Sequence, residues 1–344
     1  MTLKIIPFNE EMLPQAGALL AQRHRRDRAS LPELPARFEE PVIARKAVEA
    51  ALHRQHAGGF AALDNSRLAA YLIGDMAIDN VWGRSGWIRT AGCAYDPEAG
   101  VEIVRDLYAV LGVHWVDYGI FAHFALIPVS DPELIYAWFS LSFGIEQVHA
   151  LVDLEALDPT TPSIPPGVEI RKAGPADRQH LAEMSDVIWK TQVKAPVWAA
   201  MIPEAVGETE AGWAGLVDEA DVTVWLASMA GKVAGVQGYW PAEPAGDYLM
   251  VPENCVHMSA AGTRVEARGQ GIGTLLTKYG LAQASVRGHR FCETDWRSTN
   301  LLASRFWPRR GFRPVAYRLV RRVDQRIAWA DGTPAPGTGH QESV

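Results

Sequence analysis

The chain has 344 residues, of which 48% are hydrophobic and 21% charged, and its net charge is −7. This length predicts two domains, the composition is that of a globular protein, and the acidic balance argues against a general nucleic-acid binder. No apolar run reaches membrane-spanning length. The opening stretch MTLKIIPFNEEML has acidic residues where a signal peptide has its apolar stretch. We therefore expect a cytoplasmic protein without nucleic-acid or membrane partners.

Two segments rich in proline and glycine divide the chain. Residues 156–167, ALDPTTPSIPPG, can continue neither a helix nor a central strand, which predicts a linker. Residues 331–344, DGTPAPGTGHQESV, have the same character and predict a disordered tail. The expected domains are therefore residues 1–155 and residues 168–325.

The two halves resemble each other in pattern. Each opens with a short strand and a helix, in LKIIPFNEEMLPQAGALLAQ and in VEIRKAGPADRQHLAEMSDVI. Near their ends, residues 131–148 align without a gap over residues 298–315, which matches Phe139 with Phe306. Any amphipathic helix that ends at a glycine shares part of this pattern. The common opening and the common length nevertheless favour duplication of one domain.

The cysteines carry little information about function. Cys93, Cys255 and Cys292 are widely scattered, with neither metal-ligand spacing nor an even disulfide set. They predict reduced thiols and no metal site.

The second half alternates strands and helices. DVTVWLASMAGKVAGVQGYW predicts a hairpin that turns at residues 230–232, and NCVHMSAAGTRV predicts a further strand. A helix follows, with apolar residues at helical spacing from Ile272 and a stop at Arg287 and Gly288. HRFCETDW predicts another strand, and NLLASRFWPRRGF a short helix interrupted by Pro308. Strands connected by helices in this way predict an α/β (α+β) architecture with a mixed sheet.

A glycine-rich turn, RGQGIGT, lies between the predicted strand and the predicted helix. A dinucleotide fingerprint and a Walker loop are both excluded because the spacing of Gly269, Gly271 and Gly273 fits neither. Glycines allow positive φ and close approach of the backbone to a ligand. The amides of residues 269–274 can converge at the positive end of the helix dipole. The pattern favours a bound pyrophosphate over a glycine-rich loop without a ligand.

The pattern Arg-x-x-Gly-x-Gly after a strand, followed by Asn-x-x-Ala and Gly-Phe, resembles the GNAT acyltransferase superfamily. Residues 263–276 match its acetyl-CoA pyrophosphate motif. Its next motif is matched by Asn300, Ala303, Gly311 and Phe312. The resemblance covers residues 168–325 well and, through the internal repeat, the first half weakly. The whole chain is therefore similar to tandem GNAT proteins, an arrangement also seen in mycothiol synthase.

The resemblance implies a fold, a reaction and a cofactor. The fold is two tandem GNAT-like domains, each a mixed, mostly antiparallel twisted sheet flanked by helices. The reaction is transfer of an acetyl group from acetyl-CoA to an amine. Thr263 and Val265 would contribute backbone groups that pair with the pantetheine arm. The other implied CoA-binding residues are Arg268, Gly269, Gln270, Gly271, Ile272, Gly273, Thr274, Asn300 and Ala303.

The C-terminal part of the second half is strongly basic. Between Arg287 and Arg326, eleven arginines face three acidic residues. Most of them are expected to form a solvated face, but such groups can also hold a phosphate. We expect Lys278, Arg305 and Arg309 nearest the nucleotide.

The first half departs from the family pattern at the glycine turn. Its corresponding stretch, GCAYDPEAGVEIVRDLY, keeps Gly100 near the turn and has Asp96, Glu98 and Glu102 where a pyrophosphate would lie. We therefore expect residues 1–155 to retain the fold without the CoA site, and to shape the acceptor cleft of the second half.

Candidates for the proton transfers are less well defined. His257 precedes the glycine turn, in the register where some family members have a general-base carboxylate, and its ordinary pKa near 6.5 suits a base. A structural role for His257 remains open, and Glu253, Glu293 and Asp295 compete with it. Many family members have a general-acid tyrosine seven residues after the motif asparagine, where this chain has Trp307.

Five tryptophans that precede the glycine turn are candidates for an acceptor pocket or for the core: Trp189, Trp198, Trp213, Trp225 and Trp240.

Three functions are compatible with this sequence. The first is an N-acetyltransferase that acts on a small-molecule amine. The second is an acyl-CoA-binding sensor or regulatory protein without catalysis, which the absence of the tyrosine supports. The third is acetylation of a peptide or protein. The sequence distinguishes neither a monomer from a homodimer nor one acceptor from another.

Overall fold

The computed structural model of the chain describes residues 3–79, 82–158, 160–242 and 246–329. The elements of the first half are β1 (Lys4–Pro7), α1 (Leu13–Ser30), α2 (Pro41–Leu52), β2 (Gly58–Asp64), β3 (Arg67–Asp79), β4 (Gly83–Ile88), β5 (Cys93–Tyr95), α3 (Glu102–Asp117), β6 (Ala122–Pro128), α4 (Pro132–Ser140) and β7 (Gly144–Asp153).

Among the described residues, the second half follows a similar order, with one helix more after its first strand and one strand fewer before the helix that follows the glycine turn. Its elements are β8 (Val168–Lys172), α5 (Arg178–Met184), α6 (Asp186–Gln192), α7 (Pro203–Gly215), β9 (Thr223–Met229), β10 (Lys232–Pro241), β11 (Cys255–Thr263), α8 (Ile272–Val286), β12 (Phe291–Arg297), α9 (Leu301–Phe306) and β13 (Arg313–Arg322). The hairpin, the glycine-led helix and the short helix that ends before Pro308 all form where the sequence predicts them.

The strands form one sheet that crosses both halves. In the described part of the chain, its order is β1-β2-β3-β4-β6-β13-β7-β12-β11-β10-β9-β8, with β5 paired to β3. The β4–β6 and β11–β12 pairs are parallel, and the other pairs are antiparallel. The prediction of a mixed, mostly antiparallel sheet flanked by helices is therefore confirmed.

The last strands of the two halves exchange places. β7 lies between β12 and β13, where Val148 is in register with Trp296. β13 lies between β6 and β7, and its buried Leu319 is in register with Ala125. The division of the chain into domains at residues 1–155 and 168–325 stays a prediction. The strands of the first segment end at β13, which belongs to the second segment, and the strands of the second end at β7, which belongs to the first.

A loop of the second half also enters the core of the first. Leu249, Met250 and Val251 are buried in the cluster formed by α1, α2 and β3. The Thr90 hydroxyl donates to the Asp247 carbonyl over 2.9 Å and accepts from the Leu249 amide over 2.8 Å. The two halves therefore share both a sheet and a hydrophobic core.

Close packing fixes α8 against the sheet. A Cβ atom added at Gly280 would lie 2.2 Å from the Tyr239 hydroxyl on β10, which only glycine avoids. Leu276 and Leu281 are buried on the same side. This contact places the N-terminus of α8 beside the end of β11.

The predicted linker and the predicted tail have different outcomes in the structure. Residues 157–158 and 160–167 of the predicted linker contain neither helix nor strand. The predicted tail, residues 331–344, lies outside the described residues. Of the helices that the structure describes, none combines the length and the apolarity that a membrane span requires.

The strand exchange predicts that the halves depend on each other. Residues 160–329 expressed alone would lack β7, which leaves facing edges of β12 and β13 unpaired. We expect this segment to give no cooperative unfolding transition in urea when followed by circular dichroism. Coexpression with residues 1–158 should restore the transition. A full-length chain cleaved at a protease site introduced within residues 160–165 is the control and should remain associated. A cooperative transition of the isolated segment would contradict the prediction.

Candidate functional site

A cleft opens where β11 and β12 separate. Their parallel pairing runs from Cys255 to His257 on β11, and its last registered pair is His257 with Glu293. One residue further, the Thr294 hydroxyl donates to the Met258 carbonyl over 2.9 Å. Beyond this bond the strands enclose a cavity of about 600 Å³, which is within the usual range of small-molecule sites.

The wall of the cleft on β11 is irregular. Gly262 pairs with Val236, but Ser259 pairs with Gly238, so two residues of β11 face one residue of β10. Ala260, within this bulge, has φ +49°. Such a bulge turns backbone groups out of the ladder. Because β12 has diverged, the edge of residues 259–263 facing the cleft can pair with an extended ligand, as an added strand would.

The glycine turn lies at the N-terminus of α8, at one end of the cleft. Gly269 and Gly271 have φ +77° and +81°, and a Cβ atom added at either would meet no described atom within 4 Å. At these two glycines no side chain stands between the backbone amides and the cleft, so a ligand can approach the main chain directly. Together with the positive end of the 15-residue helix α8, this turn fits a pyrophosphate.

Nine of the twelve residues expected to bind the cofactor line the cleft: Thr263, Arg268, Gly269, Gly271, Ile272, Gly273, Thr274, Asn300 and Ala303. The side chains of Val265, Gln270 and Arg305 do not. Val265 is 66% exposed, the Gln270 amide donates to the Glu266 carbonyl, and Arg305 is exposed on α9.

Asn300 and Arg268, two of the residues expected to bind the cofactor, form hydrogen bonds that stabilise the local structure of the site. The Asn300 side chain accepts hydrogen bonds from the amides of Leu302 and Ala303 and so caps α9. Arg268 donates to the Thr263 carbonyl over 3.2 Å and to the Thr191 hydroxyl over 3.0 Å. Arg268 thereby ties the glycine turn to β11 and to α6.

None of the three cationic side chains that were expected nearest the nucleotide lines the cleft. Lys278, Arg305 and Arg309 are exposed and do not line it, whereas Arg310 does. Arg310 donates to the Thr274 hydroxyl, and its guanidinium lies 4.0 Å from the centre of the Phe306 ring. Its Nε is buried without a hydrogen-bond partner among the described groups. A run of adjacent arginines does not reveal which one turns inward.

Sequence reasoning also missed the opposite walls of the cleft. α6 contributes Val187, Ile188 and Thr191, and Gln147 comes from the exchanged strand β7. A Cβ atom at Gly262 would lie 2.2 Å from the Val187 side chain, so α6 packs directly on β11. No local motif marks these residues, because only the tertiary fold brings them to the cleft.

A second cavity, the interface cavity, lies between the two halves. Its volume is about 630 Å³. It is lined by Arg54, Arg89, Thr90 and Leu126 from the first half, and by Trp240, Pro241, Ala242, Asp247, Tyr248, Val251, His257, Ser259 and Glu293 from the second. Ser259 lines both cavities. The linings of the two cavities therefore join at Ser259 of β11, two residues from His257.

Glu293 is the centre of a polar network at this junction. It is 6% exposed, and its Oε1 accepts from the Tyr248 hydroxyl over 2.9 Å. Nδ1 of His257 lies 3.4 Å from its Oε2, and Nδ1 of His149, on β7, lies 3.9 Å from its Oε1. Burial opposes ionisation of Glu293, but its interactions with His149 and His257 outweigh burial and lower its pKa to about 2. Glu293 is therefore a carboxylate at neutral pH.

The ionised Glu293 acts on His257. Burial favours the neutral imidazole, but the hydrogen bond and charge of Glu293, with the charge of Asp295, outweigh it and raise the pKa of His257 above 6.5. Because Nδ1 faces Glu293, the proton of the neutral ring is favoured on Nδ1, which leaves Nε2 as the basic nitrogen. Within the described ranges, no residue pairs with Nε2.

The remaining candidates from the sequence lie elsewhere or have other contacts. Glu253 is exposed and paired with Arg37. Asp295 lines the cleft on β12. Trp307 also lines the cleft, but it is buried and packs edge-on against Phe306 and Phe312. No hydroxyl therefore replaces the family's tyrosine at this position.

The tryptophans divide between cavity, core and surface. Trp240 lines the interface cavity, whereas Trp225 is buried against Tyr279 and Trp213 packs on a core cluster. Trp198 is 73% exposed. The fifth candidate, Trp189, has the ammonium of Lys190 5.5 Å from its ring centre. The acceptor-pocket interpretation therefore has a structural basis at Trp240 alone.

In the first half, the parallel strands β4 and β6 also separate, but side chains occupy the space beside them. β4 pairs with β6 from Ser85 to Ile88 and then turns away to β5. Buried side chains, including Tyr95 and Trp138, occupy the space between β5 and α4. The Tyr95 hydroxyl donates over 2.8 Å to Asp131, the N-cap of α4, and so ties β5 to the start of this helix.

The acidic residues of the first half's turn have partners of their own. The Asp96 carboxylate accepts from Arg67 over 2.6 Å and from the Glu98 amide over 3.0 Å, while Glu102 pairs with Arg105. This turn therefore presents carboxylates where its counterpart presents bare glycine backbone.

Comparison with known proteins agrees with the geometry. Residues 191–312 match the model of the acetyltransferase (GNAT) family. This part of the second half is therefore similar to the GNAT family. The match covers most of the cleft, the glycine turn and His257, but less than half of the chain. No curated protein matches the chain in sequence.

Solved structures extend the likeness of fold to both halves of the chain. A GCN5-related N-acetyltransferase from Sphaerobacter thermophilus is 15% identical, with a TM-score of 0.58, and the alignment covers 92% of this chain and 94% of that one. A tandem GNAT protein from the clavulanic acid biosynthesis pathway is 17% identical, with a TM-score of 0.52 and coverage of 93% and 98%. At these identities the likeness establishes a shared fold.

The His257–Glu293 pair can be tested by NMR titration without any substrate. We expect His257 to titrate above pH 6.5, because the ionised carboxylate stabilises the imidazolium. Glu293→Gln removes that charge and should lower the His257 pKa. Glu253→Gln, which removes an exposed carboxylate shortly before β11, is the matched control and should leave it unchanged. His257→Asn identifies the resonance among the ten histidines. A His257 pKa that does not fall in Glu293→Gln would contradict the assigned interaction.

Proposed function

We propose that the protein is an N-acetyltransferase that transfers an acetyl group from acetyl-CoA to a small amine. The observation that carries the proposal is the junction at Ser259, which lines both the cleft of the second half and the interface cavity. A donor in one cavity and an acceptor in the other would come together beside His257. In this proposal the second half binds CoA and the first half closes the acceptor site.

The residues of the cleft fit CoA in two ways. The glycine turn at Gly269 and Gly271 offers open backbone and the positive end of α8 to the pyrophosphate. The unpaired edge of residues 259–263 offers main-chain groups to the pantetheine arm. Arg310, whose Nε has no described partner, adds a positive charge at the Thr274 end of the cleft. When bound, acetyl-CoA supplies an activated acyl thioester.

The chain's own contribution to the chemistry is positioning and proton transfer. Nε2 of His257 would accept a proton from the ammonium of the acceptor, and Glu293 would stabilise the resulting imidazolium. Backbone amides at the bulge around Ala260 would donate to the oxygen on which negative charge develops. Trp307 offers no proton for the leaving thiolate. A thiol pKa near 8.5 makes departure without a general acid feasible.

One observation favours a second candidate, a sensor that binds acyl-CoA without turnover. The position of the family's general acid is occupied by Trp307, buried between two aromatic rings. The polar network at His257 would then only stabilise the interface. Acetylation of a protein is less compatible with an acceptor site that both halves enclose.

The cofactor site is tested by a matched pair of glycine substitutions. Gly271→Glu should reduce CoA affinity by at least a hundredfold, because it places a carboxylate at the expected pyrophosphate position and strains a residue at φ +81°. Gly288→Glu introduces the same charge at φ +89° at the other end of α8 and should leave affinity unchanged. Isothermal titration calorimetry with CoA provides the measurement. Equal CoA affinity in the two variants would refute the site.

Catalysis is tested by thiol release from acetyl-CoA across a panel of small amines. For any amine that is acetylated, His257→Asn should lower kcat by about 10²- to 10⁴-fold, the usual contribution of a general base. CoA affinity should not change, because His257 lies in the interface cavity. CoA binding without turnover of any amine would instead support the sensor.

A further inference from the structure

The interface cavity has a cationic end that the proposed chemistry does not use. Arg54 follows α2 and Arg89 follows β4, and both belong to the first half. The same cavity is also lined by His257 and Glu293, where the amine would react. The first half thus adds two guanidinium groups to an acceptor site whose reactive residues lie in the second half.

Two buried carboxylates hold these arginines in place. Asp75, 4% exposed, accepts from Nε and Nη2 of Arg89, both over 2.9 Å. Nε of Arg54 lies 3.2 Å from the same carboxylate, and Nη1 of Arg54 donates to Asp247 over 3.1 Å. Arg89 also stacks on Trp87, 4.7 Å from the ring centre. The guanidinium planes are therefore fixed before any ligand arrives.

Each arginine keeps an unused edge. Among the described residues, neither Nη2 of Arg54 nor Nη1 of Arg89 has a hydrogen-bond partner. The two side chains remain 38% and 24% exposed while lining the cavity. The buried carboxylates, by contrast, are already engaged. The groups left to meet a ligand at this end are therefore N–H donors with positive charge, which suit a carboxylate.

The rest of the wall is largely apolar. Leu126, Trp240 and Val251 line the cavity between its polar residues. An acceptor that fills this space needs an apolar body as well as charged ends.

We propose that the acceptor is an amine that carries a carboxylate and an apolar side chain, as an amino acid does. Its carboxylate binds the free edges of Arg54 and Arg89, and its amino group lies towards His257. This inference rests on the proposed function, but it makes a separate claim about recognition.

Direct binding tests this claim without acetyl transfer. Calorimetry with the full-length wild-type protein compares phenylalanine with phenethylamine and leucine with 3-methylbutylamine. Within each pair the two amines differ only by the carboxylate. The amino acid should bind at least tenfold more tightly, as expected for charge-assisted hydrogen bonds. Equal or tighter binding of the decarboxylated amine, or no binding of either amino acid, would overturn the inference.

Substitutions then locate the carboxylate site. Arg54→Gln should remove most of the preference for the amino acid, whereas Arg54→Lys, which keeps the charge, should retain part of it. Arg45→Gln removes a charge from an exposed position on α2 and is the matched control. Because Arg54→Gln leaves Asp247 with one partner fewer, urea unfolding of each variant checks that the fold persists. A preference that survives in a folded Arg54→Gln variant would overturn the assignment to Arg54.

The outcomes separate the two proposals. Acetylation of amino acids and plain amines with equal kcat/KM would support the acetyltransferase and overturn the carboxylate site. Carboxylate-dependent binding without acetylation of either class would support the site and overturn the acetyltransferase.

Discussion

The end of the pairing between β11 and β12 governs the rest of the site. Had the ladder continued beyond His257 and Glu293, the cleft would be closed by main-chain hydrogen bonds. The separation leaves the edge of β11 free, and the same point brings His257 beside a buried carboxylate. One interruption of a sheet thus yields both a space for an extended ligand and a polarised imidazole at its end.

The two halves share this geometry but differ in what occupies it. In the first half, large aromatic side chains fill the split, and carboxylates replace the bare glycine backbone. The first half contributes to a cavity elsewhere, at its boundary with the second half, where Arg54, Arg89 and Thr90 line the interface cavity. Loss of one ligand site is therefore compatible with a new contribution to its twin's site.

What the sequence could reveal depends on how local the information is. The glycine turn, the helix after it and the cap at Asn300 each follow from residues a few positions apart, so motif and propensity suffice to predict them. Which arginine turns inward does not follow, because Arg305, Arg309 and Arg310 are chemically alike and packing around Phe306 decides. The exchange of β7 and β13 was beyond reach for a different reason. A strand's own residues specify which face is buried, but not which distant strand lies beside it.

The strand exchange also affects how the chain can be divided for study. β7 is contiguous in sequence with the first half, yet Gln147 and His149 reach the cleft and the Glu293 network of the second. A gene fragment cut to the family match at residues 191–312 would omit these side chains together with the arginine-bearing wall. Inactivity of such a fragment would reflect a missing β-strand neighbour, and would give no information on whether the full-length protein catalyses acetyl transfer.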